Sequence, residues 1–278
     1  MVRLHPSSPS RVVVEMYREE PTIYLDHWAM REMSSRPTLR DRFLAAFETR
    51  GTLLFSSVHI AELAKNTGRS TDAIRSFLDA VGPHWMVTLA DPIEVIRREN
   101  AWTVTSRRAP FVADTFFKTS GFLVRLSEGP VSLSHIVDMV RDEGSDAILA
   151  NLTSSVQTLV ANLNRFRQEY RANSGILSTT FPAQMFDKRY PTRFVFHQLM
   201  RSLITTQVKL SPNHIADFFH AVVPLAYAQI VVLDKHWATQ AENLHLPENW
   251  VRIFKKSNLE DCFELIEQMP SVRGNGAV

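Results

Sequence analysis

Gln229-Ile230-Val231-Val232-Leu233-Asp234 is an apolar, β-branched run that stops at a carboxylate. A continuous run of this kind suits a strand buried on both faces, as in a parallel sheet. Thr22-Ile23-Tyr24-Leu25-Asp26 repeats the pattern near the other end of the chain. Working outward, Thr52 to Phe55, His84 to Leu89 and Val251 to Phe254 read as further strands. Between them lie helical patterns. Leu39, Phe43, Ala46 and Phe47 recur at helical spacing over about 38–49, and further helices are expected over 70–81 and 258–268. Ser56 and Ser57 supply N-cap chemistry for a helix carrying Val58, Ala61, Glu62 and Leu63. Pro212 suits the first turn of a helix running to Ala226, and a short helix follows Asp234. Strands alternating with helices predict an α/β fold with a parallel sheet flanked by helices.

The middle reads differently. From about 91 to 210 the periodicity is mostly helical, most clearly at Ile136, Val140, Ile148, Leu149, Leu152, Val156, Leu159, Val160 and Leu163. The expected organisation is an N-terminal tail over 1–20 and an α/β core over 21–90 and 211–270. A large helical insertion over 91–210 and a C-terminal tail over 271–278 complete it. The 278 residues allow a core plus a second lobe. Charged residues at 22% and hydrophobic residues at 45% exclude a disordered or low-complexity chain. The lone Cys262 excludes an internal disulfide and a cysteine-rich zinc site, and points to a reducing, cytoplasmic setting. No run approaches transmembrane length, so no membrane partner is expected.

Ligands in open parallel sheets bind beyond the C-terminal ends of strands. Asp26 and Asp234 stand at two such ends. Glu62 lies on the helix after the second strand, and Asp217 on the helix feeding the Asp234 strand. Each alone is most simply a helix cap or one half of a salt bridge. Four acids at one sheet edge repel each other unless cations share the site, which predicts Mg²⁺ or Mn²⁺ on hard oxygen ligands.

Four segments carry a resemblance: Ile23-Tyr24-Leu25-Asp26, Ser57-Val58-His59-Ile60-Ala61-Glu62, Asp217-Phe218-Phe219-His220-Ala221, and Val231-Val232-Leu233-Asp234-Lys235. Together they resemble the PIN-domain nucleases over roughly 20–90 and 210–268. The resemblance implies a PIN-like fold in which Asp26, Glu62, Asp217 and Asp234 form one catalytic, metal-binding pocket. It further implies metal-dependent phosphodiester hydrolysis, usually of RNA, with a toxin or defence role and an antitoxin or regulatory partner. Trp28 and Leu233 occupy positions where that family often has small polar residues. The contrasting expectation is a catalytically silent module of the same fold that binds nucleic acid or protein.

His59 and His220 sit three residues from Glu62 and Asp217 on their helices, so each faces the side of its acid. They and Lys235 are candidates for touching phosphate or orienting the acids, against the simpler reading of packed histidines and a solvated lysine. Trp28 and Trp237 read as packing residues.

The net charge of +2 hides a division. Residues 161–210 hold eight basic and two acidic residues, a net of +6. Arg165, Arg167, Arg171, Lys188, Arg189 and Arg193 are the candidate nucleic-acid contacts, interleaved with Phe166, Tyr170, Phe181, Phe186, Tyr190, Phe194 and Phe196. Phosphate contacts supply much of nucleic-acid affinity and aromatics stack on unpaired bases. RNA, single-stranded or structured, is the expected partner, with DNA second and a homo-oligomer admitted. Each aromatic is more simply a core residue. Arg97-Arg98 and Arg107-Arg108 form a weaker basic cluster. A haloacid-dehalogenase-type phosphatase needs an acid where Trp28 stands. A P-loop and a Gly-x-Ser-x-Gly elbow are both absent from the sequence.

Overall fold

The computed structural model describes residues 2–8, 11–16, 18–47, 51–82, 84–103, 109–113, 132–143, 145–206 and 209–269. Within the N-terminal segment, β1 (Val2–Ser8) and β2 (Arg11–Met16) pair as an antiparallel ribbon. The expected C-terminal tail and Arg107-Arg108 lie outside the described residues.

β3 (Thr22–Leu25) leads into α1 (His27–Ser35) and α2 (Pro37–Phe47). β4 (Thr52–Ser56) is followed by α3 (Ser57–Lys65) and α4 (Arg69–Ala80), then by β5 (Trp85–Thr88) and α5 (Pro92–Ala101). The central helices are α6 (Leu133–Glu143), α7 (Ser145–Ala172), α8 (Ile176–Thr180) and α9 (Pro191–Thr205). The chain then runs through α10 (Pro212–Tyr227), β6 (Ile230–Val232), α11 (Lys235–Glu242), β7 (Arg252–Phe254) and α12 (Leu259–Gln268).

The five core strands form one parallel sheet in the order β5-β4-β3-β6-β7. The fold is therefore α/β with a parallel sheet flanked by helices, as the strand runs predict. Helix α1 carries no separate signal in the sequence. It begins directly at Asp26, with no intervening turn residues to mark it.

Side chains alternate across each strand, so a two-residue period assigns them to opposite layers. Ile23, Leu25, Leu53, Phe55, Trp85, Val87, Ile230 and Val232 face α1, α2, α4, α6 and α12. Phe43 is buried in that layer, stacked on Phe47, tilted against Phe77 and edge-on to Phe263. Burying a phenylalanine of this kind stabilises the fold by roughly 1.5–3 kcal/mol. Tyr24, Leu54, Met86 and Val231 face the other way, against α5, α7, α9, α10 and α11. Helices from 91–210 thus supply much of the second layer. Glu99 anchors them: buried, it accepts from the Thr192 N–H at 2.9 Å and the Tyr227 hydroxyl at 2.7 Å. It thereby links α5 to the start of α9 and the end of α10.

The entry to β4 is tight. Gly51 has φ of +93°, and a Cβ there would collide with the Pro21 carbonyl, which itself accepts from the Thr52 N–H. Only glycine combines that backbone with that approach.

Candidate metal centre at the sheet switch point

β3 lies between β4 and β6, so chain connections leave it in opposite directions. Such a switch point opens a crevice at the strand C-termini. Asp26 ends β3 there and caps α1, its Oδ1 accepting from the His27 N–H at 2.6 Å. Asp234 follows β6 and caps α11, accepting from the Trp237 N–H at 2.9 Å. Both aspartates are therefore helix caps, and both stand at the crevice. Glu62 is carried by α3, whose cap is Ser56, accepting from the His59 N–H at 3.1 Å. Asp217 lies on α10 at the exposed rim, and that helix is capped by Ser211.

Electrostatics link the four. Burial raises the Asp26 carboxyl to about 7. Backbone N–H groups of His27 and Asp234 pull it down, while the charges of Asp234 and Asp217 push it up. Burial and the charges of Asp26 and Asp217 raise Glu62 to about 7. Burial and Asp234 raise Asp217 to about 6. Among the described residues no lysine or arginine forms an ion pair with any of these acids. Lys235 is exposed and turned to no acid of the pocket within ion-pair distance. A crowd of carboxylates with no lysine or arginine counter-charge among the described residues fits a divalent cation on oxygen donors.

Beneath the acids lies a stack of rings. Tyr24 and His59 stack at 5.6 Å between centroids, and His59 and His220 at 4.6 Å. The Tyr24 hydroxyl is 3.5 Å from His59 Nε2. Burial and the charges of Asp26, Glu62 and Asp217 keep that phenol protonated. Burial holds His59 well below the ordinary imidazole range, and burial with His27 lowers His220 to about 4, so both rings are neutral near pH 7. His27 Nδ1 is 3.8 Å from Glu62. Among the described residues, one group of three ligating side chains brings one donor atom each within 4.8 Å of the others: His59, Glu62 and His220. Asp26 and Asp217 act on Glu62, and Asp234 on Asp26 and Asp217, by charge rather than by such close contact.

Tyr24 and His27 were missed in the sequence. Tyr24 reads as one more apolar strand residue, and only its place one step before the strand end puts its hydroxyl under the crevice. His27 adjoins Asp26, which was the available signal. His214 and His236 were also missed; their rings are 4.7 Å apart, and Asp234 and Arg167 both act on His214.

The basic segment is divided in its duties. Arg167 donates to the Leu203 carbonyl at 2.8 Å and to Thr206, close enough to His214 to depress it. Arg165 lies over Phe166 and 3.9 Å from Glu169, and Arg189 pairs with Asp187 at 2.7 Å. Arg171, Lys188 and Arg193 are exposed. Phe181, Phe194 and Phe196 are buried, and Trp237 packs at 2% exposure. In the second cluster, Arg97 and Arg98 both bind Glu94 at 2.8 Å. No helix among the described residues is long and apolar enough to cross a membrane. No protein-family model, curated protein or solved structure matches the chain.

Proposed function

We propose that the chain is a divalent-metal-dependent nuclease of PIN-like type, hydrolysing phosphodiester bonds in RNA as an endoribonuclease. One observation carries this reading: Asp26, Glu62, Asp217 and Asp234 meet electrostatically at the switch point, three with strongly raised carboxyl groups and none with a lysine or arginine partner among the described residues. The order of strands and acids along the chain supports the PIN-like assignment.

A bound Mg²⁺ or Mn²⁺ supplies charge neutralisation of the phosphodiester and acidifies water. Asp26 and Asp234, fixed by their capping bonds, would hold such an ion together with Asp217 at the rim. Glu62 would orient water and accept its proton, a task suited to a carboxyl whose value lies near neutrality. Exposed Arg171, Lys188 and Arg193 guide the anionic backbone.

The test is cleavage of labelled single-stranded RNA in Mn²⁺ by wild type, Asp26→Asn and Asp234→Asn. Loss of cleavage in both variants is expected. Equal activity in all three sinks the site. RNA retention with no cleavage under any divalent metal favours the binding-module reading.

A further inference from the structure

We infer that His59, Glu62 and His220 form a cation site adjoining the carboxylate pocket, selective for an imidazole-binding transition ion such as Zn²⁺, with Glu62 common to both. Four observations carry it. One donor atom from each of the three side chains lies within 4.8 Å of the other two. His59 is fully buried and His220 is 8% exposed. Nδ1 of His59 and Nδ1 of His220 are both buried without a hydrogen-bond partner. The opposite nitrogen of His59 faces the Tyr24 hydroxyl.

Buried polar atoms in native proteins are nearly always satisfied, and exceptions call for an explanation such as a bound ion. Orphaned buried nitrogens also occur on His214 and His236, but among the described residues only the pair on His59 and His220 has a third ligating side chain, Glu62, with a donor within 4.8 Å. Imidazole nitrogens and a carboxylate are the donor types a transition ion takes, and a turn of one of the two stacked rings would bring both lone pairs onto one ion. Ligating histidines have their second nitrogen held by an outer group, which fixes the tautomer and aims the ring. Tyr24 stands in that place for His59. If Nε2–H points to the tyrosine oxygen, Nδ1 presents its lone pair. Two nitrogens and one oxygen suit Zn²⁺ and its neighbours, whereas Mg²⁺ prefers oxygen donors throughout. The donor set is incomplete at three, which leaves further positions open for water or a substrate oxygen.

The site shares Glu62 with the nuclease reading, but the ion it holds and the atoms that hold it are read without RNA cleavage. The full chain, stripped with a chelator and reloaded with one equivalent of Zn²⁺, is studied by zinc-edge X-ray absorption. Scattering from two imidazoles is expected, and oxygen-only scattering overturns the inference without any mutation. Zn²⁺ titration then compares wild type, His220→Phe and Asp234→Asn, each checked for folding by circular dichroism. His220→Phe keeps a ring in the stack and removes both nitrogens. Its Zn²⁺ affinity should fall more than about 100-fold, since loss of a ligand exceeds loss of an outer partner. Asp234→Asn should keep the two-imidazole signature. If Asp234→Asn loses the ion and His220→Phe keeps it, the ion sits among the aspartates; this inference then fails while the nuclease reading stands. If RNA cleavage survives Asp234→Asn but Zn²⁺ still shows two imidazoles, the nuclease site fails and this one holds.

Discussion

Asp26→Asn should stabilise the metal-free protein at pH 8 and leave it nearly unchanged at pH 4. The reason lies in the sign of the perturbation. Burial and neighbouring charge raise the Asp26 carboxyl from 3.8 to about 7, so near neutrality the folded chain holds a proton there that the unfolded chain has released. Between about pH 4 and 7 folding takes up that proton, and stability falls as pH rises through this window. Above 7 the carboxylate is ionised in both states and the full penalty is present. A shift of about 3 units corresponds to roughly 4 kcal/mol, at 1.36 kcal/mol per unit. The same charges also raise Glu62 and Asp217, so the share released by one substitution is smaller, about 2–3 kcal/mol. Asparagine keeps the cap on α1, because its side-chain oxygen also accepts from the helix. The expected gain at pH 8 is a rise of roughly 5–10 °C in melting temperature. The assay is thermal unfolding with chelator at pH 4 and pH 8. Adding Mn²⁺ should reverse the ranking at pH 8, because the wild type then gains binding energy that the variant lacks. Equal melting temperatures at pH 8, or a drop of the same size at both pH values, would refute a repulsive carboxylate cluster.

Ser56→Ala removes the cap that starts the Glu62 helix and should cost about 1 kcal/mol, read by urea denaturation. Glu99→Ala strands the Thr192 N–H and the Tyr227 hydroxyl and should cost about 2–4 kcal/mol, with α5, α9 and α10 losing hydrogen-exchange protection together. Replacing Arg171, Lys188 and Arg193 by glutamine should lower the salt slope of single-stranded RNA binding by about 0.7 for each phosphate no longer neutralised. An unchanged slope places RNA on another face.

The two strand-end aspartates were legible because a buried strand has a sharp apolar signature and its last residue is plain to see. Glu62 was legible through Ser56, whose cap fixes where α3 begins. The positions of five strands followed from local pattern alone. The pairing of His59 with His220 was not legible. Each histidine was visible next to its own acid, but their stacking depends on how α3 and α10 approach across the sheet edge, which no local period encodes. The basic segment misled in part for the same kind of reason. Charge along a sequence does not distinguish Arg171, which stands exposed, from Arg167, which is tied to the Leu203 carbonyl. Helix α1 escaped notice because Asp26 serves two purposes at once, closing a strand and opening a helix.

The placement of β3 between β4 and β6 has a consequence for dissection of the chain. Asp26, His59 and Glu62 come from the amino-terminal half, and Asp217, His220 and Asp234 from the carboxy-terminal part. A chain severed between α5 and α6 would leave neither fragment with all the proposed ligands. Metal uptake by such a pair would report fragment complementation directly, because only a rebuilt sheet with β6 beside β3 reunites the donors.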